Sequence, residues 1–284
     1  MSKIWTLGDS FTAGFGCKYF QSIGINKTHY EKIYEKYIDT NKKIWPEIVA
    51  EIKGFDLINL AKNGTSNETI LDLFIKNIKD INKNDLVIIQ TSGPSRFDFP
   101  FLKQKTLTGF KDYQFEDDLY GTYNSPYRFK TTYTANFSEE WDNSKSNVLQ
   151  YINSQESIDD VGLKLNKFTY DTIRTFFAEF ISTKKYYEKS VWQIVELVKT
   201  FRLMGYNICI INMSEWPEFL DKPEFLFEID NKSMYQYCLD NKKTIRNATF
   251  GNIDDYHPSY EGHQDIANFI IKCIDNEVIN LHKS

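Results

Sequence analysis

With 284 residues and a formal net charge of −5, the chain is long enough for one large domain or two small ones. Its weak acidity excludes the basic footprint that nucleic acid or an anionic membrane surface requires. Aromatic residues reach 16%, with 22 Phe, 18 Tyr and 5 Trp, so a substantial core is expected and intrinsic disorder is not.

In chain order, Lys3 to Leu7 is a short β-prone run ending at Gly8. Ile44 to Ile52 carries apolar residues at 44, 45, 48 and 52, which is helical spacing. Leu57 to Leu60 predicts a strand that runs into the turn Lys62-Asn63-Gly64. Ser66 suits the cap of a following helix with apolar positions 70, 74, 78 and 81. Leu86 to Ile89 is continuously apolar, as in a strand buried on both faces. Residues from about Phe97 to Asp160 are polar, aromatic and turn-rich, and predict an insertion with hairpins of its own. The pattern resumes with a helix over Thr183 to Met204, inward at 187, 191, 194, 198 and 201 and closed by Gly205. Asn207 to Ile211 is another buried strand. Pro258-Ser259 opens a last helix with Ile266, Phe269, Ile270 and Cys273 inward. Strand and helix in alternation predict a three-layer α/β/α sandwich with a central parallel sheet, flavodoxin-like in style, with a long insertion after the third strand. We expect a single domain over 1–284 that contains the insertion at 97–160.

The cysteines at 17, 209, 238 and 273 form no CxxC pair, which excludes a zinc knuckle or thioredoxin-like motif, and no metal or organic cofactor is expected. No run approaches the ~18 apolar residues of a membrane span, and MSKIWTLGDS does not read as a signal peptide. A cytoplasmic protein without a membrane span is expected.

Two segments carry chemistry. Gly8-Asp9-Ser10 follows the first strand, at the end of a parallel sheet where ligands bind. Asp254-Asp255-Tyr256-His257-Pro258 lies near the other end of the sequence. Serine becomes a useful nucleophile when a base takes its proton, and imidazole does so near neutral pH. A carboxylate then fixes the imidazole tautomer. Asp254 stands three residues before His257, a spacing that one helical turn brings to one side. Of the other histidines, His29 and His282 lie in polar stretches, and His263 reads as a packing or capping residue.

Gly-Asp-Ser after the first strand and Asp-x-x-His-Pro before the last helix resemble the SGNH, or GDSL-like, hydrolases. The stretch DYHPSYEGHQDIANFI resembles that family's C-terminal block, and Asn59-Leu60-Ala61-Lys62-Asn63-Gly64-Thr65-Ser66-Asn67 its second block. The resemblance implies a serine esterase working through an acyl-enzyme, with Ser10 as nucleophile, His257 as base and Asp254 as its orienting carboxylate. It also implies an oxyanion hole from the backbone N–H groups of Ser10 and Gly64. The third block departs from the family. Gly-x-Asn-Asp is replaced by Ile88-Ile89-Gln90-Thr91-Ser92-Gly93, so Ser92 falls where the oxyanion-binding Asn belongs. Either the Ser92 hydroxyl supplies the third donor, or Asn63 or Asn67 does and Ser92 only packs. Asp9, Asn63, Asn67 and Arg96 are candidate substrate-binding residues; Asn63 and Asn67 also suit capping or turn duty, and Arg96 suits an anionic group or a structural ion pair.

The expected substrate is a small-molecule or carbohydrate ester, with an O-acetyl group on a sugar preferred because the aromatic insertion offers stacking faces. The same aromatics read equally as that insertion's own core. The rival reading is an inactive SGNH-fold binding or structural protein. The altered third block favours it, and the intact Ser10, Asp254 and His257 oppose it.

Overall fold

The computed structural model describes residues 2–19, 27–62, 65–93, 98–100, 103–104, 113–114, 128–130, 183–214, 216–253 and 255–276. Its centre is a five-stranded sheet built from β1 (Lys3–Leu7), β2 (Asp56–Asn59), β3 (Leu86–Gln90), β8 (Asn207–Ile211) and β9 (Leu226–Phe227). The order is β2-β1-β3-β8-β9 and every neighbouring pair is parallel. The order runs outward from β1 in both directions, so the crevice at the carboxyl ends opens between β1 and β3. Register pairs Leu7 with Ile89 there, and Gln90 with Ile211 on the other side of β3.

The period-2 geometry of strands divides these apolar runs between two cores. Ile4, Leu86, Ile88, Cys209 and Ile211 pack with Trp45, Ile48 and Val49 of α3 (Trp45–Lys53) and with Ile266 and Ile270 of the last helix (Tyr260–Asp275). Trp5, Leu7, Val87, Ile89, Ile208 and Ile210 pack with Ile70 and Phe74 of α4 (Asn67–Asn77) and with Val191, Ile194 and Val198 of α5 (Thr183–Leu203). Full burial of one such side chain contributes about 1.5–3 kcal/mol, so these two clusters are the main source of stability.

Local signals explain the helix ends. Ser66 accepts the Thr69 N–H, and Ser259 accepts the Gly262 N–H. Gly205 takes φ 89°, a left-handed conformation glycine adopts without strain, and stops α5 where the sequence places its end. Two details differ from the periodicity. Ile52 is 56% exposed, because the buried stripe of α3 runs through Trp45, Ile48 and Val49 instead. On the last helix Ile274 is buried, while Phe269 and Cys273 are only partly so.

Among the described residues, four helices were not read from the sequence: α1 (Ser10–Ala13), α2 (Lys27–Tyr37), α6 (Met234–Asp240) and α7 (Ile245–Ala248). Tyr34 of α2 and Ile245 of α7 join Cys17, Ile44 and Ile253 in a third small cluster. The last helix, Tyr260–Asp275, is therefore α8. Within the insertion, β4 (Asp98–Pro100) pairs antiparallel with β7 (Arg128–Lys130), and β5 (Lys103–Gln104) with β6 (Tyr113–Gln114). The rest of 97–160 lies outside the described residues. Among the described residues no helix is long and apolar enough to cross a membrane. All four cysteines are free.

Candidate active site

β1 delivers Gly8-Asp9-Ser10 to the crevice, where the chain turns at once into the four-residue helix α1 (Ser10–Ala13). Asp9 caps it, its carboxylate accepting the Phe11 N–H at 2.9 Å, and Gly14 closes it with φ 76°. Ser10 is thereby fixed at the first helical position.

Gln90, the last residue of β3, holds this turn from beneath. Its Oε1 accepts the Asp9 N–H at 3.3 Å and the Thr12 hydroxyl at 2.7 Å. Its Nε2 donates to Asp9 Oδ1 at 2.9 Å and to the Thr91 carbonyl at 2.7 Å. All four hydrogen-bonding positions of the carboxamide are used. Gly8 makes this approach possible, since a Cβ there would lie 2.6 Å from Gln90 Oε1 and 2.8 Å from Thr12 Oγ1.

His257 comes from the loop before α8. The Ser10 hydroxyl and His257 Nε2 are 2.7 Å apart, and His257 Nδ1 is 2.6 Å from Asp255 Oδ1. The loop is pinned by backbone bonds, Ile245 N–H to the His257 carbonyl at 2.9 Å and Arg246 N–H to the Asp255 carbonyl at 2.7 Å. The rings of Phe11 and Phe15 flank the imidazole at centroid distances of 5.1 and 4.8 Å.

The carboxylate at Nδ1 is therefore Asp255, which corrects the assignment of Asp254; Asp254 itself lies outside the described residues. The three-residue spacing matters only in a helix, and 255–257 is not helical. Instead Asp255 Oδ1 accepts the backbone N–H of His257 at 2.8 Å, an Asx turn that carries the imidazole to the same oxygen. Burial alone would raise the Asp255 carboxyl. The His257 ring, the Tyr34 hydroxyl and the His257 N–H outweigh it and hold the group below the usual carboxylate range.

The other candidates divide into structural groups and undescribed ones. Ser92 is fully buried; its hydroxyl lies 2.6 Å from the Thr65 carbonyl, to which it donates, and 3.3 Å from Asp9 Oδ2. A hydroxyl has one proton, so Ser92 does not serve as the side-chain oxyanion donor. Asn67 is buried as well. Its Oδ1 accepts the Ser92 N–H at 2.7 Å and its Nδ2 donates to the Ser190 hydroxyl at 3.0 Å, so it ties α4 to α5 and to the segment after β3. Asp9, a candidate substrate-binding residue, is fully buried and caps α1. Asn63, Gly64 and Arg96 lie outside the described residues. His263 is fully buried in α8 and packs, its Nδ1 facing the Trp45 N–H at 3.5 Å.

Sequence reading missed Asp255, Gln90 and Tyr34. Gln90 had a signal, as a polar residue at the carboxyl end of an otherwise apolar strand. Tyr34 had one too: Tyr30, Ile33, Tyr34, Tyr37 and Ile38 recur at helical spacing. Compared with known proteins, the chain matches no family model and no curated protein. The site rests on its own geometry: a serine at the switch point of a parallel sheet, joined through one imidazole to one buried carboxylate.

Proposed function

We propose that the chain is a serine hydrolase acting on a carboxylic ester, with the three-layer α/β/α architecture of an SGNH hydrolase. The observation that carries this reading is the continuous hydrogen-bonded line Ser10–His257–Asp255. His257 Nε2 takes the Ser10 proton as Oγ attacks the ester carbonyl carbon. Asp255 keeps the proton of His257 on Nδ1 and stabilises the imidazolium that forms. The imidazolium returns its proton to the leaving alcohol oxygen as the C–O bond breaks, which leaves an acyl group on Ser10. Water, deprotonated by the same imidazole, then releases the acid.

The developing oxyanion is met by the backbone N–H groups of Ser10 and Gly64 in this reading. With Ser92 engaged elsewhere, the hole works on those two donors. Absence of one good donor costs roughly 2.7–4 kcal/mol of barrier, so turnover of small generic esters is slow and the true substrate adds binding energy away from the carbonyl. We assign an O-acetyl group on a carbohydrate as the substrate class, which the aromatic-rich sequence after β3 supports as a source of stacking side chains.

The test is hydrolysis of an activated acetyl ester and of acetylated sugars by the purified protein beside Ser10→Ala. Wild-type turnover that Ser10→Ala lacks supports the reading. Equal rates for the two proteins reject it, and would return the chain to the inactive binding-protein class.

A further inference from the structure

We propose that Tyr34 is a positioning residue for the His257–Asp255 pair: its hydroxyl, brought by α2, holds the outer oxygen of Asp255 so that the inner oxygen stays aimed at the imidazole. The proposal rests on the hydrolase reading of the same site. The two carboxylate oxygens are divided between partners. Oδ1 accepts both His257 hydrogen bonds, at 2.8 and 2.6 Å, and Oδ2 accepts the Tyr34 hydroxyl. Both residues are enclosed, Tyr34 at 4% and Asp255 at 8% exposure, so water is a poor substitute for the phenol.

The surroundings are shaped for this contact. Gly16, at φ 75°, lies against both groups, and a Cβ there would sit 3.1 Å from Tyr34 Cε1 and 3.3 Å from Asp255 Oδ2. Phe15 bridges the two ends, edge-on to Tyr34 at 6.3 Å and tilted over His257 at 4.8 Å. The groups facing Asp255 are His257 from its own loop, Tyr34 from α2, and Cys17 from the segment after α1. Burial pushes the Cys17 thiol up to about 12, so it stays neutral; Lys18 beside it pairs with Glu47. Arg246 of α7 donates its backbone N–H to the Asp255 carbonyl, and its guanidinium stacks on Tyr256.

A donor to Oδ2 stabilises the carboxylate as an anion. Without it the carboxylate is more basic and free to rotate. The pair then binds a proton more tightly, and the His257 titration moves to higher pH. A residue that only filled space would leave that titration in place.

The experiment is an NMR titration of labelled histidine in the wild-type protein and in Tyr34→Phe, with the His257 signal assigned by His257→Gln. We expect the His257 midpoint to rise by about one pH unit in Tyr34→Phe, and ester kcat to fall about tenfold with KM nearly unchanged. A midpoint moved by less than about 0.2 pH unit overturns the proposal. Should Tyr34→Phe not fold, a single ¹³Cζ-tyrosine at position 34 of the wild-type chain answers the same question. Its shift follows the His257 titration if the hydroxyl serves Asp255, and a flat response across that range overturns the proposal. Ester turnover with an unmoved midpoint removes Tyr34 alone; a moved midpoint in a protein that hydrolyses no ester removes the hydrolase reading and keeps the positioning role.

Discussion

Asp255 holds His257 twice through one oxygen, accepting the backbone N–H at 2.8 Å and Nδ1 at 2.6 Å. The carboxylate bonded to His257 thus stands two residues before the histidine, in an Asx turn, and not one helical turn away. Asp255→Asn is expected to lower kcat on an activated ester by about 10³–10⁴, because the amide favours the wrong imidazole tautomer. Asp254→Asn is expected to stay within about threefold of wild type, or roughly 0.7 kcal/mol of barrier. Measuring both variants on one substrate checks the assignment, and greater damage from Asp254→Asn would reverse it.

Gln90 joins the end of β3 to the turn that carries Ser10 through three hydrogen bonds. Gln90→Glu keeps the shape but replaces the donor to Asp9 with a second carboxylate oxygen in a fully buried place. The expected loss is about 2–4 kcal/mol of stability from the unpaired buried charge, with a fall in turnover as Ser10 loses its fixed position. Chemical denaturation of the two proteins measures it; an unchanged midpoint would mean that the carboxamide does not hold the turn.

Ser92 is a packing and hydrogen-bonding residue here. Ser92→Ala should leave kcat within about threefold, while costing about 1–2 kcal/mol of stability because the Thr65 carbonyl loses its donor. Ser92→Asn should destabilise rather than activate, since the longer side chain has to enter a filled core. A kcat drop of about 10²–10³ in a fully stable Ser92→Ala protein would instead put the hydroxyl at the oxyanion.

His263 gives stability a pH dependence in the weakly acid range. Burial, first, and then the nearby His257 and Lys18 charges push its imidazole down to about 3. A base whose proton affinity is lower when folded stabilises the fold above its unfolded value, about 6.5, and that stability is lost as pH falls toward the folded value. The unfolded chain takes up the proton first, so stability falls with acid by up to about 1.4 kcal/mol per pH unit. Asp85, held low by N–H groups of Asn82 and Lys3 and by the Trp5 indole against the raising effect of burial, adds a loss of the same sign below the ordinary carboxylate range. Urea denaturation between about pH 6 and 4 should show the slope, and His263→Gln should flatten it. Equal slopes for the two proteins would contradict this account.

The parallel sheet was legible because β1, β3 and β8 are short apolar runs separated by amphipathic helices, and both signals are local. Ser10 and His257 were legible because a Gly-Asp-Ser turn and a His-Pro turn mark the ends of a strand and the start of a helix. Asp255 was not, since choosing between adjacent aspartates depends on whether the segment is helical, and the pinning of that loop against Ile245 and Arg246 is non-local. Tyr34 and Gln90 act across 221 and 81 residues of sequence, through contacts that no local pattern encodes. The engagement of Ser92 was hidden for the same reason, because its partners Thr65 and Asp9 come from other elements.

The central claim is that Ser10 is a nucleophile activated by His257. The most direct measurement is covalent labelling by a fluorophosphonate probe, followed by mass spectrometry of the peptide that carries the adduct. The account predicts one adduct, on Ser10, formed at a rate that collapses in His257→Gln and absent in Ser10→Ala. An unlabelled wild-type protein, or an adduct on another residue that persists in Ser10→Ala, would contradict it.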